Sequence, residues 1–205
     1  MNITRSICSL WEVENSLPVG SVDAVVVMAF PNMTSGEVGR ISKGLIECAS
    51  KYIFLNTADK IYFSNYWTVK KRGISVAELE REYAIGLGVE PEKIIIPDNP
   101  RDPSIRNTYT ELLFVIASLR NNKTGGDRKI KLHIVDNSLH TRRTLKTVRK
   151  ILGKSDDFEI TWQSVPMNIE DYGRGYSQKR FLHPLVYLAY EIIFGQIVSK
   201  IKSWV

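Results

Sequence analysis

Residues Lys131 to Lys154 read KLHIVDNSLHTRRTLKTVRKILGK, an apolar run that passes through Asp136 and Asn137 into a helical repeat. Leu132, Ile134 and Val135 suit a strand buried on both faces, whereas Leu145, Val148 and Leu152 recur at helical spacing. His140, Arg142 and Arg143 fall where that helix begins, although peptide dipoles and free N–H groups already make this end positive. An anion would resolve the conflict, and strand-to-helix junctions recur as phosphate and carboxylate sites. The junction therefore reads as the floor of a ligand pocket. His140 is its candidate acid, base or nucleophile, with Asp136 four residues earlier placed to orient it and Asn137 alongside.

Outward from this unit, four further apolar runs precede helical patterns: DAVVVMAF, YIFLN, KIIIP and FEITWQSVP. Three helices are expected to open on a Thr or Ser with Glu three positions later: Thr34 with Glu37, Ser75 with Glu78, and Thr108 with Glu111. Strand, cap and helix repeated in this way predict a Rossmann-like three-layer α/β sandwich. Its sheet is mainly parallel, of five strands or slightly more, with helices on both faces. Two long connections, Thr57 to Gly73 with Tyr62, Phe63, Tyr66 and Trp67, and Pro97 to Ser104 with three prolines, are expected at the carboxyl edge. They read as walls or lids, or as hydrophobic clusters under a loop.

The 205 residues suit one domain, 1–205, with an N-terminal extension (1–21) and a C-terminal amphipathic helix (179–203). Lys131 to Lys154 holds seven Lys/Arg against one acid and so carries the whole excess charge of +6. The balanced remainder argues against a nucleic-acid coat, and no nucleic-acid partner is expected. Cys8 and Cys48 fit no metal spacing or disulfide framework, and MNITRSICSLWEVENSL lacks a continuous apolar core, so a cytoplasmic location is expected. In the tail LVYLAYEIIFGQIVSKIKSWV, Glu191, Gln196 and Lys200 interrupt the apolar run. A helix packed on the domain is favoured there over peripheral membrane contact through Lys200, Lys202 and Trp204.

Dinucleotide and P-loop signatures are absent after the first strand, which continues as Ala29-Phe30-Pro31-Asn32-Met33-Thr34. No metal set is visible: His133 reads as a core histidine and His183 as the start of the last helix. Asn107 and Thr108 open a helix after the Pro-rich loop and are candidate ligand contacts, although capping accounts for Thr108 and Glu111 without one. Arg40, early in the first helix, is a candidate for added positive charge.

These motifs resemble a bacterial Rossmann-like family that includes SanA, YdcF and ElyC. The matches are Asp23-Ala24 in VDAVVV, Arg40, Gly88-Val89 before KIII, Asn107-Thr108, and His140 with Arg143 in LHTRRT. The chain departs from the family at Ala29-Phe30-Pro31, at Asn56-Thr57-Ala58 in place of Ser-Gly-Gly, and at Glu111, so a reshaped pocket is expected. The resemblance implies a polar, Arg-containing cleft and, for some members, envelope biogenesis or S-adenosylmethionine binding.

The leading expectation is a protein that binds a small anionic metabolite, such as a nucleotide or a phosphorylated sugar or lipid precursor, at the carboxyl edge of the sheet. Arg40, Asn107, Thr108, Asn137, Arg142 and Arg143 are the ligand residues. Phosphoryl-group hydrolysis or transfer through His140 is the reaction considered. The alternatives are S-adenosylmethionine binding, for which Asp59 is the nearest ribose-holding acid, and a non-enzymatic cell-envelope module. The cofactor and the oligomeric state are left open.

Overall fold

Val22–Val27 is a six-residue strand (β1) whose valines are almost fully buried, as expected for a β-branched run in the middle of a sheet. The computed structural model of the chain describes residues 10–28, 36–66, 68–69, 72–97, 107–123, 128–166, 188–189 and 191–193. After β1 come α1 (Arg40–Phe54), β2 (Ala58–Phe63), β3 (Thr68–Val69), β4 (Ile74–Ser75), α2 (Val76–Gly86) and a short 3-10 turn, Pro91–Lys93. β5 (Ile94–Ile95), α3 (Thr108–Asn122), β6 (Ile130–Asn137), α4 (Thr141–Leu152) and β7 (Phe158–Val165) follow.

Five strands form one sheet in the order β5-β2-β1-β6-β7, and every adjacent pair is parallel. Helices cover both faces. Leu45, Ile46, Ala49 and Ile53 of α1 and Ala77 and Ala84 of α2 pack on Val25, Val27, Ile61 and Phe63. On the other face, Leu112, Val115 and Ile116 of α3 and Leu145 and Val148 of α4 pack on Ala24, Val26, Leu132 and Ile134. Each buried Val, Leu, Ile or Phe among them contributes on the order of 1.5–3 kcal/mol through burial. The α/β sandwich expected from the repeated strand–helix pattern is the one observed.

Strand order reverses between β1 and β6, because the chain first moves from β1 to β2 and later re-enters on the other side of β1. In an open parallel sheet the crevice forms at that reversal, beyond the carboxyl ends of the strands. The segment after β6 begins at that edge.

The second strand differs from the expectation. Tyr52, Ile53 and Phe54 of YIFLN form the last turn of α1, and the strand is ADKIYF, six residues further on. Ile53 continues the buried helical stripe set by Leu45, Ile46 and Ala49, while Phe54 and Leu55 are exposed. Asn56 then takes a left-handed conformation (φ 52°), which ends the helix before β2. Tyr62 and Phe63 are consequently buried sheet residues rather than parts of a long loop. Thr68–Val69 and Ile74–Ser75 form a small antiparallel hairpin, and its turn uses Gly73 at φ 69°. Tyr66 is tied down by donating to the Pro97 carbonyl at 2.8 Å.

Of the three expected capping boxes, Ser75 with Glu78 is present. Glu78 N–H donates to Ser75 Oγ at 3.1 Å, and Ser75 N–H donates to the Glu78 carboxylate at 2.6 Å. Thr34 lies outside the described residues, but Glu37 does not open a helix as expected, because α1 begins at Arg40 with Gly39 as its N-cap. Trp67, residues 98–106 and most of the expected final helix also lie outside the described residues. Leu188 and Glu191 of that final segment are helical and buried. At the far edge the N-terminal segment covers β7: Ser16 and Trp162 exchange backbone hydrogen bonds at 3.0 and 2.8 Å. No described helix is long and apolar enough to cross a membrane.

Candidate functional site

β6 delivers Asp136 and Asn137, both buried, to the carboxyl edge of the sheet beside the β1/β6 reversal. The turn that follows is locked by Asn137, whose Oδ1 accepts from His140 N–H at 3.0 Å, while the Asn137 carbonyl accepts from the same N–H at 3.0 Å. This turn sets His140 at the start of α4, with its imidazole folded back over the end of β6.

The Asp136 carboxylate is fully enclosed and satisfied by several donors. It accepts from Asn137 N–H at 2.7 Å, from Thr144 Oγ1 at 2.6 Å and from His140 Nδ1 at 2.9 and 3.0 Å. Because a carboxylate faces Nδ1, that nitrogen carries the proton and Nε2 is the basic one in the neutral ring. Nε2 lies 3.3 Å from Thr108 Oγ1, which opens α3. Arg143, in the first turn of α4, donates from Nη1 to the same hydroxyl at 3.3 Å. The buried Glu191 carboxylate holds that guanidinium with a two-point grip, Nε to Oε2 at 2.7 Å and Nη2 to Oε1 at 3.0 Å. A quarter of the Arg143 side chain stays exposed.

Two further carboxyl groups lie behind this cluster. Burial pushes Glu111 up to about 7, with His140 and Arg143 pulling down and Asp136 pushing up. Glu80 is raised well above the ordinary carboxylate range by burial and then by Glu111, with the Ser42 hydroxyl opposing. Neither Glu80 oxygen has a hydrogen-bond partner of normal geometry. Both were missed as site residues. Their signal is an acid in the apolar phase of a helix: Glu80 lies between the buried Ala77 and Ala84, and Glu111 between Thr108 and Leu112.

The expected ligand residues therefore divide. His140, Arg143 and Thr108 come together with Asp136. The Asn107 side-chain oxygen is committed to capping α3: Oδ1 accepts from Tyr109 N–H at 2.9 Å and Thr110 N–H at 3.1 Å. The capping box is Asn107 with Thr110, in place of the expected Thr108 with Glu111. Asn137 is spent on its own turn. Arg142 faces the N-terminal segment: its guanidinium stacks 4.7 Å above the Trp11 ring, and Nε donates to the Trp11 carbonyl at 3.2 Å. Arg40 is the exposed first residue of α1, on a separate element.

The chain thus resolves the charge conflict at the start of α4 internally, with Glu191 serving Arg143 and the Trp11 ring and carbonyl serving Arg142. Asp59 sits near the amino end of β2, opposite the edge where a ribose-holding acid is needed. His133 is a core residue as expected, with Nδ1 2.8 Å from Thr161 Oγ1 and burial lowering its pKa to about 4. A separate depression of about 340 Å³ lies between Glu12–Asn15 and the ends of β6 and β7, with Ser138, Ser164 and Pro166 on its walls. Glu12 and Glu14 give it an acidic lip that suits an anion poorly. No group of three metal-ligating side chains occurs among the described residues.

Comparison with family models, with curated proteins and with solved structures gives no match. The chemistry of the cluster alone therefore bears on function. It offers an oriented imidazole with a basic Nε2 and a fixed guanidinium, both 3.3 Å from one hydroxyl, at the N-terminal ends of α3 and α4.

Proposed function

We propose that the chain binds a small phosphorylated metabolite at the carboxyl edge of the sheet, beside the β1/β6 reversal, and hydrolyses or transfers its phosphoryl group. The metabolite class comprises nucleotides and phosphorylated sugar or lipid precursors. One observation carries this reading: the Asp136–His140 pair aims Nε2 at a hydroxyl that the Arg143 guanidinium also touches. His140 serves as the general acid and base, a role that contributes roughly 10²–10⁴-fold in rate. Arg143 stabilises charge on the phosphoryl oxygens, and Glu191 fixes its orientation in advance. The reading also agrees with the polar, Arg-containing cleft that the resemblance to the SanA, YdcF and ElyC family implies.

Turnover of para-nitrophenyl phosphate, nucleoside monophosphates and sugar phosphates by the full chain tests this. The expected result is hydrolysis that falls about a hundredfold or more in His140→Gln, with KM raised in Arg143→Ala. A wild-type chain that turns over none of these esters, or a His140→Gln variant with unchanged kcat, refutes it.

A further inference from the structure

Resting on that reading, we propose that the Thr108 hydroxyl is the nucleophile, so that the reaction passes through a phosphothreonine on this chain. Capping is the ordinary reason for a threonine in this position, and it is ruled out: Asn107 Oδ1 accepts from the free Tyr109 and Thr110 N–H groups of α3, and Thr110 Oγ1 accepts from Asn107 N–H at 3.2 Å. Thr108 is instead the first residue inside the helix, buried, and its hydroxyl is directed at two side chains at the start of α4, His140 at its N-cap and Arg143 in its first turn.

Those contacts define its chemistry. Asp136 occupies the Nδ1 side of His140, so the Nε2 lone pair takes the hydrogen bond from Thr108 Oγ1. Carboxylate, imidazole and hydroxyl stand in the order that activates serine in hydrolytic triads. Thr144 Oγ1, donating to Asp136 at 2.6 Å, holds the carboxylate in place. Arg143 Nη1, 3.3 Å from the same oxygen, favours the alkoxide as it forms. The positive end of α3 does the same, since Oγ1 sits in the first turn of that helix.

In the first half-reaction Thr108 Oγ attacks phosphorus. The Oγ–P bond forms as the bond from phosphorus to the leaving alcohol breaks, and the hydroxyl proton passes to His140 Nε2 and on to the leaving oxygen. In the second half-reaction water attacks the phosphothreonine phosphorus and gives a proton to Nε2. The Oγ–P bond breaks, and the proton returns to Thr108. The sum is phosphate ester plus water giving alcohol plus inorganic phosphate; an acceptor alcohol in place of water gives transfer.

The experiment quenches the full chain during turnover of para-nitrophenyl phosphate, in acid and separately in base, and maps the phosphoryl group by mass spectrometry. A chiral phosphate ester gives the stereochemical course. The expected result is an acid-stable phosphoryl group on Thr108, net retention at phosphorus, the same label on the substituted hydroxyl in Thr108→Ser, and a loss of turnover of a hundredfold or more in Thr108→Val. An acid-labile, base-stable label on His140, or net inversion with no adduct, overturns the proposal while leaving the phosphoryl-transfer reading intact. Absence of any wild-type turnover removes both. If Thr108→Val fails to fold, the position of the label in wild type and Thr108→Ser still decides.

Discussion

The Glu111 carboxyl, pushed by burial to about 7 from an ordinary 4.5, makes stability fall as pH rises. Between those values the unfolded chain releases a proton that the folded chain keeps, so the folded state loses roughly 3 kcal/mol across the window. Glu111→Gln is expected to flatten that decline in urea unfolding measured at pH 4.5, 6 and 7.5; an unchanged slope would assign the proton elsewhere. His133 acts in the opposite sense. Burial lowers it to about 4 from 6.5, so the unfolded chain binds the extra proton first and stability rises with pH between those values. His133→Gln should remove that rise. At this scale His140, Arg143 and Asp136 were legible, because an ionisable cluster beyond an apolar run is a local pattern. Glu80 and Glu111 were not, since an acid in an apolar helical phase resembles a surface residue until the helix's neighbours are known.

Among the elements, α3 depends on a cap that was read one residue out of register. The stretch Asn107-Thr108-Tyr109-Thr110-Glu111 supports two boxes, Asn107 with Thr110 or Thr108 with Glu111. Asn is the better acceptor at the cap, and its two bonds to the helix amides fix the choice. Asn107→Ala is expected to cost about 1 kcal/mol in thermal or urea unfolding. It should also reduce phosphate-ester turnover, because the first turn of α3 carries the Thr108 hydroxyl to His140. Stability loss with undiminished turnover would detach the cap from the site. The misplaced second strand has a similar origin. YIFL and KIYF are both short apolar runs, and only the phase of α1, which buries Ile53 and exposes Phe54, tells helix end from strand.

For the molecule as a whole, the order β5-β2-β1-β6-β7 puts the reversal beside the residues that end β6, and the pattern of buried runs was enough to read that α/β class. The link from Arg143 to Glu191, 48 residues later, was not readable, because a long-range ion pair leaves no local periodicity. It joins the C-terminal segment to α4. Glu191→Ala leaves a partly buried guanidinium without its carboxylate and is expected to cost roughly 2–3 kcal/mol in unfolding, below the range for a fully buried pair because Arg143 is a quarter exposed. Arg143→Leu with Glu191→Leu should recover part of that stability while abolishing turnover, which separates the structural role of the pair from its chemical one.

The most direct measurement is nitrogen-15 NMR of the imidazoles with vanadate added as a phosphoryl transition-state mimic, His140 being assigned by its loss in His140→Gln. The expected spectrum shows His140 protonated at Nδ1, with an Nε2 resonance that shifts as vanadate binds, and no such shift in Arg143→Ala. A proton resident on Nε2 with Nδ1 bare, or an Nε2 signal indifferent to vanadate, would contradict the assignment of this cluster as a phosphoryl site.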